Sequence, residues 1–215
     1  MASVPLKPQY GPTLGQLLAP RWRSSPRWLR GALIGAVLAL AALVAAVVLT
    51  LLPASYSHPT PPSFSFTYRG LYRTKPPAGA YVSLQRRQSG TLTDSFTVWP
   101  LQLPPYQGSP GAELPLIASA YIAGLERRER DFVLLGEGRT KVNGVNGYSV
   151  FYTRRLAGEL MDGRDVLLVG ESPGARRGVR ITMLTAPEDE TQVKSALEVG
   201  NSGLLKRPLH GFELG

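Results

Sequence analysis

The segment from Gly31 to Leu52, GALIGAVLALAALVAAVVLTLL, is 22 residues without a charged side chain. At a rise of about 1.5 Å per residue, a helix of this length reaches about 33 Å, enough for a hydrocarbon layer of about 30 Å. Twelve of its residues are Leu, Ile or Val, each favouring the bilayer centre by roughly 0.3–0.6 kcal/mol. A buried helix of a soluble protein rarely runs so far with nothing more polar than Thr50. Residues 31–52 are therefore predicted to form a transmembrane helix. The apolar region of a cleaved signal peptide is shorter, about 7–15 residues, so an uncleaved signal anchor is expected.

The flanks predict its orientation. Arg21, Arg23, Arg27 and Arg30 stand just before the span, whereas Pro53 to Phe66 carries no charge other than one His58 can take up. By the positive-inside rule the N-terminus is cytoplasmic, and the rest is an extracytoplasmic domain on a single-pass plasma-membrane anchor. Trp22 and Trp28 suit the inner interface. Lys7 and those four arginines, with no acid before residue 53, supply +5 of the net charge of +9. The rest of the chain carries only +4, and a nucleic-acid footprint needs a basic face on the folded domain, so no nucleic-acid partner is expected. The absence of cysteine excludes disulfides, thiol catalysis, thiolate zinc sites and a lipoprotein anchor. Within the span, Gly31-x-x-x-Gly35 is a small-residue ridge of the kind that supports homodimers.

Residues 1–30, with prolines at 5, 8, 12, 20 and 26, are expected to form a disordered basic tail. Residues 53–63, PASYSHPTPPS, read as a polyproline spacer. Residues 64–215 form the folded domain. Strands are predicted at Phe64–Tyr68, Tyr81–Gln85 and Ser95–Trp99, with a turn at Ser89-Gly90. Pro100, Pro104, Pro105 and Pro110 mark a loop before a helix over Leu114–Phe132, buried along Leu114, Ile117, Tyr121 and Leu125. A strand over Phe132–Arg139 follows. Turns are then expected at Asn143-Gly144, Asn146-Gly147 and Asp162-Gly163, with strands at Tyr148–Arg154, Asp165–Gly170 and Val179–Met183. A helix opening at Thr185-Ala186-Pro187 buries Val193, Ala196 and Leu197 and stops at Gly200-Asn201. This order indicates an α+β domain with a mainly antiparallel sheet flanked by helices.

The strand–Asn-Gly–Gly-Tyr–strand element (Val142–Tyr152), the hairpin after it and the closing Pro187-Glu188-Asp189-Glu190 helix resemble the PsbP/Mog1-like sandwich. That fold includes extracytoplasmic actinobacterial proteins similar to the LpqN lipoproteins. The resemblance runs from about Phe64 to Gly203 by order of elements and carries over no functional residue. It implies a binding or assembly role more often than catalysis. An Ala- and Arg-rich, cysteine-free chain of this build also looks actinobacterial.

Several motifs touch on chemistry. Gly170-Glu171-Ser172-Pro173-Gly174 spells the nucleophile elbow of α/β-hydrolases, with Asp189 and His210 following in the order of a triad. Yet the oxyanion hole needs the N–H of the residue after the serine, and Pro173 has none. The segment also leads into a strand instead of a helix. Gly136-Glu137-Gly138-Arg139-Thr140-Lys141 lacks the spacing of a phosphate loop. With only His58 and His210 available, no imidazole metal cluster is expected, and neither is a cofactor. Asp162 and Asp165 are expected to flank a turn, and Glu188, Asp189 and Glu190 to complement a helix dipole. Arg86-Arg87, Arg154-Arg155 and Arg176-Arg177-x-x-Arg180 are candidate contacts to an anionic envelope component or another envelope protein, as are Arg127, Arg128 and Arg130. Tyr121, Tyr148, Phe151 and Tyr152 are candidate lining for an apolar ligand. The expected function is a non-catalytic binding or assembly module; a carrier or sensor of a lipidic or wall ligand, and then a serine hydrolase at Ser172, are the alternatives.

Overall fold

A computed structural model describes residues 26–103, 110–170, 177–187 and 193–215. The chain divides into a unit ending at Leu52 and a second unit, Pro53–Gly215. In the first, helix α1 covers Arg27–Leu51. It starts before the expected Gly31 and takes in Arg27 and Arg30; Arg21 and Arg23 lie outside the described residues. Ile34, Val37, Leu38, Leu40, Leu43 and Val44 are each more than half exposed. At about 100° per residue these positions cover roughly two thirds of the circumference, and the small residues Gly35, Ala39 and Ala42, also exposed, occupy the rest. The side chains of α1 are described without a break only from 34 to 45, and among the described residues no helix is long and apolar enough to cross a membrane.

The second unit begins earlier than expected. Strand β1 (Ala54–His58) pairs antiparallel with β2 (Phe64–Tyr68) in the register Tyr56↔Phe66. The proposed spacer is thus part of the fold. The reason lies in the alternation Tyr56-x-His58: Tyr56 packs at 5.5 Å from the Phe66 ring, and His58 at 4.5 Å from Tyr81. A proline-rich composition does not reveal such anchors. The short C-terminal strand β10 (Glu213–Leu214) joins the other edge of β2 and completes a three-stranded sheet.

The larger sheet has seven strands in the order β3-β4-β5-β9-β8-β7-β6, every neighbour antiparallel. These are β3 (Tyr72–Thr74), β4 (Val82–Gln88), β5 (Thr91–Gln102), β6 (Val133–Val142), β7 (Val145–Leu156), β8 (Glu159–Val169) and β9 (Arg177–Thr185). Three two-residue hairpins hold positive φ at both central positions: Ser89-Gly90, Asn143-Gly144 and Ala157-Gly158. This is the type I′ geometry that matches strand twist. The first two turns stand where the sequence predicts them. The third does not, because Asp162-Gly163 lies inside β8. Asn146-Gly147 likewise lies inside β7, where a Cβ on Gly147 would come within 2.6 Å of Leu168 and 2.9 Å of the Leu167 carbonyl.

Two prolines expected in a loop are inside regular elements. Pro100 belongs to β5, opposite Val179. The Val98 carbonyl accepts from the Tyr81 N–H on the β4 side, so two residues on, the missing N–H of Pro100 faces the side where β4 has already ended. Pro110 opens helix α2 (Pro110–Arg128), a position whose N–H has no partner within a helix. The stripe of α2 that is most deeply covered is Leu114, Ala118, Ile122 and Leu125.

Two apolar cores lie on opposite faces of the large sheet. On one, Phe66, Leu84, Phe96, Ile181, Met183 and Phe212 sit under the small sheet and the C-terminal segment, which includes helix α3 (Lys206–His210). On the other, Val150, Tyr152, Met161, Leu167 and Leu184 sit under α2. The expected closing helix is not formed as predicted: Thr185 ends β9, residues 188–192 lie outside the described residues, and a 3₁₀ turn covers Ala196–Glu198. Val193 and Ala196 are buried as expected, but Leu197 is 53% exposed.

Candidate functional site

Alternation along β8 sends neighbouring side chains to opposite faces, and this gives the domain two buried polar centres back to back. Asp165 points beneath α2; Asp162 and Arg164 point toward the small-sheet side. From the sequence both aspartates are expected to flank a turn. Instead Asp165 is 1% exposed and Asp162 8%.

Beneath α2, the Tyr121 hydroxyl donates a short hydrogen bond to Asp165 Oδ2. The Arg180 guanidinium lies between two rings, 5.0 Å from Trp99 and 5.1 Å from Tyr121. The other carboxylate oxygen of Asp165, the indole N–H of Trp99 and Nε of Arg180 are buried without a hydrogen-bond partner among the described residues. Burial pushes the Asp165 carboxyl above its ordinary range, while the Tyr121 hydrogen bond and the Arg180 charge pull the other way. Burial and the Asp165 charge together raise the Tyr121 phenol far out of reach of neutral pH. The hydroxyl therefore stays protonated and works as a clamp between helix and sheet. Just past the end of α2, Nη1 of Arg154 donates to both carboxylate oxygens of Glu129, at 2.9 and 3.2 Å, and the guanidinium lies over the Tyr152 ring.

On the opposite face Arg164, 5% exposed, reaches Ser149, Asn201 and the Val199 carbonyl, with its guanidinium 4.9 Å from the Phe151 ring. Toward the other end of the sheet, register aligns Arg86, Asp94, Thr185, Asp162 and Thr153 across five strands. Thr185 donates to Asp94 at 2.9 Å, and Arg86 stands 3.7 Å from the same carboxylate. Burial raises the Asp162 carboxyl as well.

The structure therefore disperses the predicted arginine contacts. Arg86, Arg154 and Arg180 are half-buried and engaged as described. Arg87 and Arg155 are exposed and bond the carbonyls of Gly90 and Gly158 within their own hairpins. Arg177 is exposed at the start of β9, and Arg176 lies outside the described residues. The predicted aromatic lining is divided too. Tyr148 and Tyr152 pack in the α2 core, Tyr121 is bonded to Asp165, and Phe151 lies on the far face under Arg164. Ser172, Pro173 and Asp189 lie outside the described residues, and His210 ends α3. The strands on either side of the Ser172 segment, β8 and β9, are antiparallel neighbours paired as far as Val169↔Gly178. Sequence reasoning missed Trp99, Asp165 and Arg164 as members of polar centres. The available signal was a charged pair, Arg164-Asp165, running straight into the apolar Val166–Val169.

No family model matches the chain, and no curated protein matches it in sequence. Solved structures do. The cyanobacterial PsbP protein of Synechocystis (CyanoP) aligns at a TM-score of 0.51 and 12% identity, over 76% of this chain and 92% of its own. LpqN of Mycobacterium tuberculosis, described as involved in cell envelope biogenesis, aligns at 0.50 and 13%, over 75% and 91%. The fold is PsbP/Mog1-like. Yeast Mog1p, a Ran-binding protein, is also similar, at 0.46 and 10% identity over 76% of this chain and 95% of its own. Identities this low extend to the PsbP/Mog1-like architecture alone.

Proposed function

We propose that this chain is a single-pass membrane protein whose PsbP/Mog1-like domain faces away from the cytoplasm as a non-catalytic binding or assembly module. The observation that carries the reading is α1, whose residues 34–45 are apolar or glycine and exposed on every side. A helix that is apolar on every side belongs in lipid or in a protein core. In sequence the uncharged run continues to Leu52 and reaches the length of a bilayer crossing. The arginines before it favour a cytoplasmic N-terminus. Cβ atoms on Gly31 and Gly35 would meet nothing within 4 Å, which leaves that ridge open to a second copy. The envelope role in LpqN's description fits a domain held outside the cell, by analogy of fold.

A scaffold role is favoured over a carrier because Tyr121 and Tyr152 are committed to clamping α2 and filling its core. Protease added to intact, wall-stripped cells tests the topology. The domain should be digested while residues before the span stay protected. A domain that survives on the membrane of intact cells and is cut only after lysis would overturn the reading.

A further inference from the structure

Four arginines turn toward the polar centres of the domain, and three of them face a carboxylate. Arg86 stands beside Asp94, Arg154 grips Glu129, and Arg180 lies in the field of Asp165. Arg164 is the exception. It is 5% exposed, yet among the described residues its partners are all neutral: Ser149 Oγ at 3.0 and 3.2 Å, Asn201 Oδ1 at 2.9 Å, the Val199 carbonyl at 3.1 Å and Thr140 Oγ1 at 3.5 Å. Hydrogen bonds satisfy its donors without balancing its charge, and burying an unbalanced charge is costly. Burial alone pulls its pKa down to about 10.

Against Arg164 lies a cavity of about 110 Å³, whose polar lining is Thr140, Lys141, Asn143, Asn201 and His210. Its ionisable groups are all basic. At about 30 Å³ per water, the space suits three or four waters or one tetrahedral oxyanion. The longest of the Arg164 bonds, to Thr140, is the one a ligand oxygen most easily replaces.

We propose that this cavity binds a phosphate-type oxyanion, with Arg164 as the buried counter-charge and Lys141 and His210 at its mouth. Planar forked donors suit such a group. The site is independent of the membrane placement proposed above. Its ligand is either a soluble phosphate or the phosphate of a lipid headgroup.

The test uses the full chain in nonionic detergent, titrated with inorganic phosphate against chloride at matched ionic strength and followed by Tm. A parallel titration uses short-chain phosphatidic acid. Saturable stabilisation is expected. Lys141→Glu, at an exposed position that tolerates the change, should weaken the apparent affinity about tenfold or more. Arg87→Glu makes the same charge change on another hairpin and should leave the affinity as it was. Tighter binding of phosphatidic acid identifies a lipid source, and equal or weaker binding a soluble one; the site stands in both cases. No saturable effect of either probe overturns the proposal, as does an equal loss in the two variants.

Discussion

Gly163→Ala offers a sharp test of how β7 and β8 pack. A Cβ built on Gly163 falls 2.3 Å from Cε2 and 2.6 Å from Cζ of Tyr152. Ordinary carbon contacts begin near 3.5 Å, so the ring must retreat by about 1 Å. It has nowhere to go. Tyr152 is 1% exposed, and Phe132 packs at 5.1 Å between ring centroids. Overpacking of this kind costs about 1–3 kcal/mol. Stiffening the unfolded chain returns about 0.4–1 kcal/mol, because Gly163 does not need positive φ. With the ring hemmed in, the cost falls in the upper part of that range, about 2–3 kcal/mol, so the net loss should be about 1–2.6 kcal/mol, or roughly 2–10 °C in Tm for a domain of this size. Urea unfolding of the Pro53–Gly215 unit can be read through Trp99, its one tryptophan. Gly138→Ala on edge strand β6, where a Cβ meets nothing within 4 Å, is the control and should be neutral or slightly stabilising. In a Tyr152→Leu background the cost of Gly163→Ala should largely vanish. If Gly163→Ala behaves like the control, or costs the same with and without the ring, the packing argument fails.

The buried carboxyl beneath α2 makes a prediction about pH. Its pKa is raised in the fold above the ordinary value of about 3.9, so the folded chain keeps a proton that the unfolded chain releases. That contribution is fully present below the unfolded value and is lost as pH rises from there to the folded one. Asp165→Asn, which still accepts from Tyr121, should flatten the fall in Tm over that window; Asp162 shifts in the same direction and will keep some slope. Identical slopes in the two proteins would count against an upward shift at Asp165. A third expectation concerns β1. A chain beginning at Ser63 lacks Tyr56 and His58, which pack on Phe64, Phe66 and Tyr81. At about 0.5–1.5 kcal/mol per aromatic pair, it should lose about 2 kcal/mol or more against a chain beginning at Pro53. Equal melting temperatures would show that residues 53–62 are a spacer after all.

Local chemistry made much of this domain legible in advance. Asn143-Gly144 and Ser89-Gly90 could be read as hairpins because few residue pairs tolerate positive φ twice in a row. Phe64-x-Phe66 announced a half-buried strand because alternation in sequence is alternation in space. Other features depended on who the neighbours are. Gly163 reads as a turn residue until the Tyr152 ring from the adjoining strand is known to lie against it. Pro100 reads as a breaker until β4 is seen to end just before it, leaving no ladder bond to lose. Arg154, Arg164 and Arg180 look alike in sequence, yet only the fold decides that one grips Glu129, one is buried with no acid beside it among the described residues and one lies against two rings. Propensity and pattern belong to a residue and its near neighbours along the chain. Burial, charge balance and close approach belong to pairs brought together from far apart, and only the tertiary structure supplies the second member.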